Sequence, residues 1–147
     1  MARFHIAMML AMVGIFIIDQ NLKQLFIDGY RFYSDYIDLI LVYNKGVAFS
    51  MFAFLQEWLK WIQLVLIVGV GGYIISLRKN CYALPAGILL GAGLSNVYDR
   101  FIHEGVVDYI YYHHWFNFAV FNFADVMIDL AVLWLVLLSF KPKLCHT

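Results

Sequence analysis

The chain has 147 residues, 64% of them hydrophobic, 18% aromatic and 14% charged, where soluble domains carry about 25% charged residues. A mean hydropathy of +0.78 excludes an ordinary soluble domain. A formal net charge of zero leaves no electrostatic case for nucleic acid, and the length suits a single domain over 1–147.

A helix needs about 20 mostly apolar residues to cross a bilayer, and four segments qualify. The first runs from about Phe4 to Ile27, interrupted by Asp19, Gln20, Asn21 and Lys23. It follows Arg3 as a signal peptide would, but no small-x-small cleavage site comes after it, so it reads as an uncleaved span. The connection from Asp28 to Glu57 is too long for a turn. Tyr36–Tyr43 and Val47–Phe54 are rich in β-branched and aromatic residues, with Asn44-Lys45-Gly46 as a turn signal between them. A small β-structure on the outer membrane surface is therefore expected between the first and second spans. The second span is about Trp58–Leu77, with Lys60 near enough to an end to snorkel. The third is about Ala83–Ile102 and the fourth about Phe118–Phe140, with Pro85 suiting a first turn and Pro142 following a helix end. The expected fold is an all-α membrane protein of four transmembrane helices.

Basic residues set orientation. Arg3, Arg78, Lys79, Lys141 and Lys143 fall at the N-terminus, the second connection and the C-terminus, without acidic residues beside them. Both termini are expected in the cytoplasm. Cys81 and Cys145 would share that reducing side as free thiols. No CxxC or Cys/His spacing suggests a metal, and His113-His114 suits a loop.

Carboxylates inside apolar spans are costly and mark function. At 1.5 Å rise per residue, Asp99 lies roughly 24 Å from Ala83, Asp125 roughly 22 Å from Phe140, and Asp19 roughly 24 Å from Arg3. Three aspartates on three spans thus reach similar depth. Asn96 and Asn122 each precede an aspartate by three residues, as helix neighbours. Gly87 and Gly91, extended by Ala83 and Ser95, form a small-residue face suited to close helix packing. Two close carboxylates share a proton, one with a raised pKa, which is the logic of an aspartic protease. Interhelical glue in a non-catalytic protein, or an ion or proton pathway, also uses such residues.

Five segments resemble, in order, those of the lipoprotein signal peptidase (signal peptidase II) family. Asp19-Gln20-Asn21-Leu22-Lys23 is similar to its DQxxK, and residues 44–50 (NKGVAFS) to its NxGxAFS. Residues 91–100 (GAGLSNVYDR) resemble the GNxxDR-type motif, Val106-Val107-Asp108-Tyr109 the VVDF, and residues 121–125 (FNFAD) the FNxAD. The resemblance implies an aspartyl endopeptidase of the bacterial cytoplasmic membrane, with its site toward the outer leaflet. It would cut prolipoproteins just before a diacylglyceryl-modified cysteine. It implies Asp99 and Asp125 as the dyad, and Asn96 and Asn122 as residues orienting dyad or substrate. Asn44, Gly46 and Arg100 would bind substrate or shape the site, with Asp19, Lys23, Asp108 and Ala124 in support. Membrane lipids and globomycin-type inhibitors are the other implied partners, and no metal or cofactor is implied. The chain departs from the pattern in Ser95 for Gly, Val126 for Ser, and an added carboxylate, Asp129. Asp129 would either raise the pKa of Asp125 by repulsion or face another helix.

Overall fold

The computed structural model describes residues 2–46, 55–77, 79–141 and 145. Four helices are long and apolar enough to cross a membrane: α1 (Ala2–Ile27), α2 (Gln56–Leu77), α3 (Ala83–Ile102) and α4 (Phe123–Phe140). Their outer surfaces are apolar, with Leu10, Val65, Val68 and Leu133 all exposed, as a lipid-facing surface requires.

α3 is the central helix, packed against α1, α4 and α2. The small-residue face explains its closest contact. A side-chain carbon added to Gly87 would run into the Met8 carbonyl and the Ala11 methyl, and one on Gly91 into the Met12 carbonyl. The two glycines thus let the α1 backbone lie directly on α3. Phe4, Met8, Ile74, Tyr82, Ala86, Leu90 and Leu138 form the apolar core beside this contact. α2 and α4 both lean on α3, with at most marginal contact between them. A groove lined by Leu66, Ile67 and Val70 of α2 and by Ile128 of α4 leaves a gap between these two helices.

The expected β-structure begins where the sequence places it, with β1 (Ile37–Asn44) between α1 and α2. Its partner differs from expectation. β1 pairs antiparallel with β2 (Val106–Tyr112), between α3 and α4, in a register joining Asn44 to Val106 and Val42 to Asp108. The other expected strand, Val47–Phe54, lies outside the described residues. Residue alternation in β2 sends Val106 and Asp108 to one face and Val107 and Tyr109 to the other. Tyr109 stacks on Phe26 of α1 at 4.1 Å between ring centroids.

Two further expectations are corrected. α4 starts at Phe123, not Phe118. Phe121 instead bonds across to Tyr109 and Ile110 beside β2, and Asn122 then caps the helix. Cys81 and Cys145 are joined in a disulfide, their Cα atoms 5.2 Å apart, rather than being free. The turn before α3 and Cys145 end up within disulfide reach.

Candidate active site

Asp19, Lys23 and Asp99 form one buried ion cluster. Lys23 Nζ lies 2.6 Å from Asp19 and 2.6 Å from Asp99, and both carboxylates are fully buried. The i, i+4 spacing puts Asp19 and Lys23 on one face of α1, and the close approach allowed by Gly91 brings Asp99 to them. Every oxygen of the cluster is engaged. Asp19 accepts from Ser95 Oγ at 2.6 Å and from the Ala124 N–H at 2.9 Å. Asp99 accepts from Gln20 Nε2 at 2.8 Å and the Val107 N–H at 3.0 Å. Ser95, a departure from the glycine of the family pattern, takes part in the cluster: its hydroxyl donates to Asp19 and accepts from Gln20 at 2.8 Å.

Asp125 sits elsewhere. It is the third residue of α4, in a capping box: Asn122 Oδ1 accepts from the Asp125 N–H at 2.9 Å, and Asp125 Oδ2 from the Asn122 N–H at 3.0 Å. Asn96 Nδ2 donates to its other oxygen at 2.9 Å. The carboxylate that meets it in the cavity is Asp108 of β2. Asn122 Nδ2 donates to Asp108 Oδ1 at 2.7 Å, and Asn44 Nδ2 to Asp108 Oδ2 at 3.0 Å. Burial first, and then the charge of Asp125, pushes the Asp108 carboxyl from 3.8 up to about 7, against the opposing bonds from Asn44 and Asn122 and the charge of Lys23.

A cavity of about 400 Å³ opens on these groups, lined by Asn44, Gly46, Asn96, Arg100, Asp108 and Asp125, with Gln63 and Asp129 on facing helices. Asp99 does not line it. Asp99, which the resemblance implies as the partner of Asp125, is thus not among the residues this cavity brings together. Depth is common to the three aspartates, but Asp99 points to Lys23 and α1. Arg100 shapes the wall: its Nε donates to Gln63 Oε1 at 2.8 Å and its other end to the Gly46 carbonyl. Gly46 closes on Asn44 Oδ1 at 3.0 Å. Ala124, fully buried, contributes its N–H to Asp19. An apolar groove of about 290 Å³, lined by Leu66, Ile67, Val70, Leu89, Leu90 and Gly93, adjoins the cavity through Gln63, Asn96 and Ile128.

Sequence reasoning gave no role to Gln63, Gln20 or the Val107 N–H. A polar residue inside an otherwise apolar span was the available signal for Gln63.

Four spans around a carboxylate cavity, with a gap between two helices leading into it, define a multi-pass membrane enzyme. Comparison with known proteins agrees. Residues 11–141 match the model of the signal peptidase (SPase) II family. A lipoprotein signal peptidase of Sulfurimonas denitrificans is 70% identical over 138 residues, covering 94% of this chain and 90% of that protein. Another, of Helicobacter pylori, is 48% identical over 142 residues, covering 92% and 90%. A bacterial membrane enzyme solved by the in meso method shares the fold at a TM-score of 0.80 and 19% identity, over 95% of this chain and 91% of that one. The chain belongs to the signal peptidase II family, the peptidases that remove signal peptides from prolipoproteins.

Proposed function

We propose that this chain is an aspartyl endopeptidase whose dyad is Asp108 and Asp125. It cuts diacylglyceryl-modified prolipoproteins before the lipidated cysteine. The observation that carries the assignment is Asn122, which bonds to both carboxylates at the wall of one cavity. The two groups share one proton. With Asp108 raised to about 7, the protonated dyad at neutral pH combines a donor for the scissile carbonyl with a base for the attacking water. Asn122 and Asn44 hold Asp108, and Asn96 holds Asp125. Asp99, Asp19 and Lys23 act behind the dyad as structural anchors.

The substrate enters sideways, through the gap between α2 and α4. The apolar groove beside the cavity suits lipid or signal-peptide hydrocarbon. Globomycin-type cyclic peptides would occupy the same cavity. The distribution of basic residues supports cytoplasmic termini, which puts the dyad and the sheet toward the outer leaflet of a bacterial cytoplasmic membrane.

The test is cleavage of a diacylglyceryl-modified prolipoprotein by purified protein in micelles. Wild type is expected to cut before the modified cysteine, and Asp108→Asn and Asp125→Asn to be inactive though folded. Full activity in either variant would remove the dyad.

A further inference from the structure

We propose that Asp129 binds the substrate backbone: its carboxylate accepts a hydrogen bond from a signal-peptide N–H about two residues before the scissile bond. This deepens the peptidase reading above and rests on it.

Asp129 is exposed within α4 and lines the same cavity as Asp108 and Asp125. It has no hydrogen bond or ion pair among the described residues. Apart from Asp125, one turn before it, the side chains near it on α4, Val126, Val132 and Leu133, are apolar. The cation of this cavity, Arg100, is occupied by Gln63 and Gly46. A carboxylate at this depth is expensive without a partner, and the described residues supply none.

The reaction creates a suitable partner. A signal peptide crossing the membrane as a helix hides its carbonyls in internal bonds. Cleavage near its end requires the last turn to unwind. Each N–H of that turn then loses the carbonyl four residues earlier, in a place with little water to replace it. The N–H groups set free belong to the residues just before the cut. Asp129 follows Asp125 by four residues, so it shares the same face about 6 Å deeper in the membrane. An extended chain covers that distance in about two residues at 3.3 Å each. With the dyad toward the outer leaflet, the deeper part of the substrate is the part before the cut. An acceptor that takes a backbone N–H reads no side chain, so it suits varied signal peptides.

The test is a coupling experiment in micelles. A lipidated peptide substrate is made with its normal amide, and again with an ester replacing the bond whose N–H lies two residues before the cut. Both are assayed with wild type, Asp129→Ala and Asp129→Asn. In wild type the ester is expected to lower kcat/KM about tenfold or more, as for a lost bond to a charged acceptor. Asp129→Ala should raise KM on the amide by a similar factor while kcat holds, and the ester should then cost nothing further. Asp129→Asn, which keeps an acceptor oxygen, should recover part of the loss. Thermal unfolding should hold or rise, since the side chain has no partner among the described residues and its charge is a cost at this depth. An equal ester penalty in wild type and Asp129→Ala, or an unchanged KM in Asp129→Ala, overturns the proposal. Failure of wild type to cut the amide substrate overturns the peptidase reading and this inference together, whereas cleavage without coupling overturns this inference alone.

Discussion

Replacing Asp99 by Asn separates the two carboxylate groups of this protein. The charge removed lies 2.6 Å from Lys23, 2.8 Å from Gln20 Nε2 and 3.0 Å from the Val107 N–H. Breaking a buried ion pair commonly costs about 3–5 kcal/mol, because the surviving charge is left alone. Here it is not left alone: Lys23 keeps Asp19 at 2.6 Å and Asn96 Oδ1 at 2.8 Å. What is lost is the charged character of the bonds to Asp99, at about 1.5–3 kcal/mol for such a bond. The new amide also has an NH2 that must face a donor. A net loss of about 2–3 kcal/mol follows, seen as a lower unfolding temperature in micelles. Catalysis should fall far less than in Asp125→Asn, where an acid–base group worth about 10²–10⁴ in rate is removed. The assay is kcat on saturating lipidated substrate, beside thermal unfolding of the same preparations. An Asp99→Asn protein that unfolds like wild type and is as inactive as Asp125→Asn would return Asp99 to the dyad and refute the assignment of Asp108.

Asp108 predicts a pH dependence. Its pKa is raised in the folded state, from 3.8 to about 7, so the folded protein holds this proton more tightly. The stability this supplies is fully present below about 3.8 and is lost as pH rises toward and through about 7. Activity that needs the Asp108 proton should decline over the upper part of that window, and Asp108→Asn should lose this component of the unfolding profile. An Asp108→Asn profile that matches wild type would count against it. Gly91→Val should destabilise by about 3 kcal/mol or more, because the clash is with the Met12 backbone. Gly14→Ala, where an added carbon meets nothing within 4 Å, is the control that should not destabilise in thermal unfolding. Asn122→Ala should cost about 1–2 kcal/mol as a lost helix cap and also impair cleavage. Asn122→Ser should regain the cap in unfolding assays but not the activity, since a serine hydroxyl is too short to replace the donor to Asp108.

The four spans and the close packing of Gly87 and Gly91 were legible in the sequence, because length, hydropathy and small-residue spacing are local properties. The pairing of the aspartates was not, because depth along a helix says nothing about direction around it. One clue was available. Lys23 sits inside a span and must be neutralised there, and Asp19 and Asp99 lie at its depth; a lysine with two carboxylates at hand leaves Asp99 committed to it. The resemblance implies only a supporting place for Asp108. Its bond to Asn44 of β1 spans 64 residues of sequence, and no local pattern reports such a contact. The start of α4 was misplaced for a related reason. Asn122-x-x-Asp125 has the spacing of a capping box, yet the apolar run before it, Phe118–Phe121, resembles more helix.

The two carboxylate groups are separate in chemistry but joined in geometry. Asn96 Oδ1 accepts from Lys23 at 2.8 Å and from Asn122 Nδ2 at 3.1 Å. With two donors on its oxygen, the amide can present only its NH2 to Asp125, at 2.9 Å. Asp19, meanwhile, holds the Ala124 N–H one residue before Asp125, and Asp99 holds the Val107 N–H one residue before Asp108. Asp19 and Asp99 thus each fix the backbone next to one member of the proposed dyad. Intramembrane charge is tolerated in this fold because the ions that stay neutralised set the positions of those left free to react.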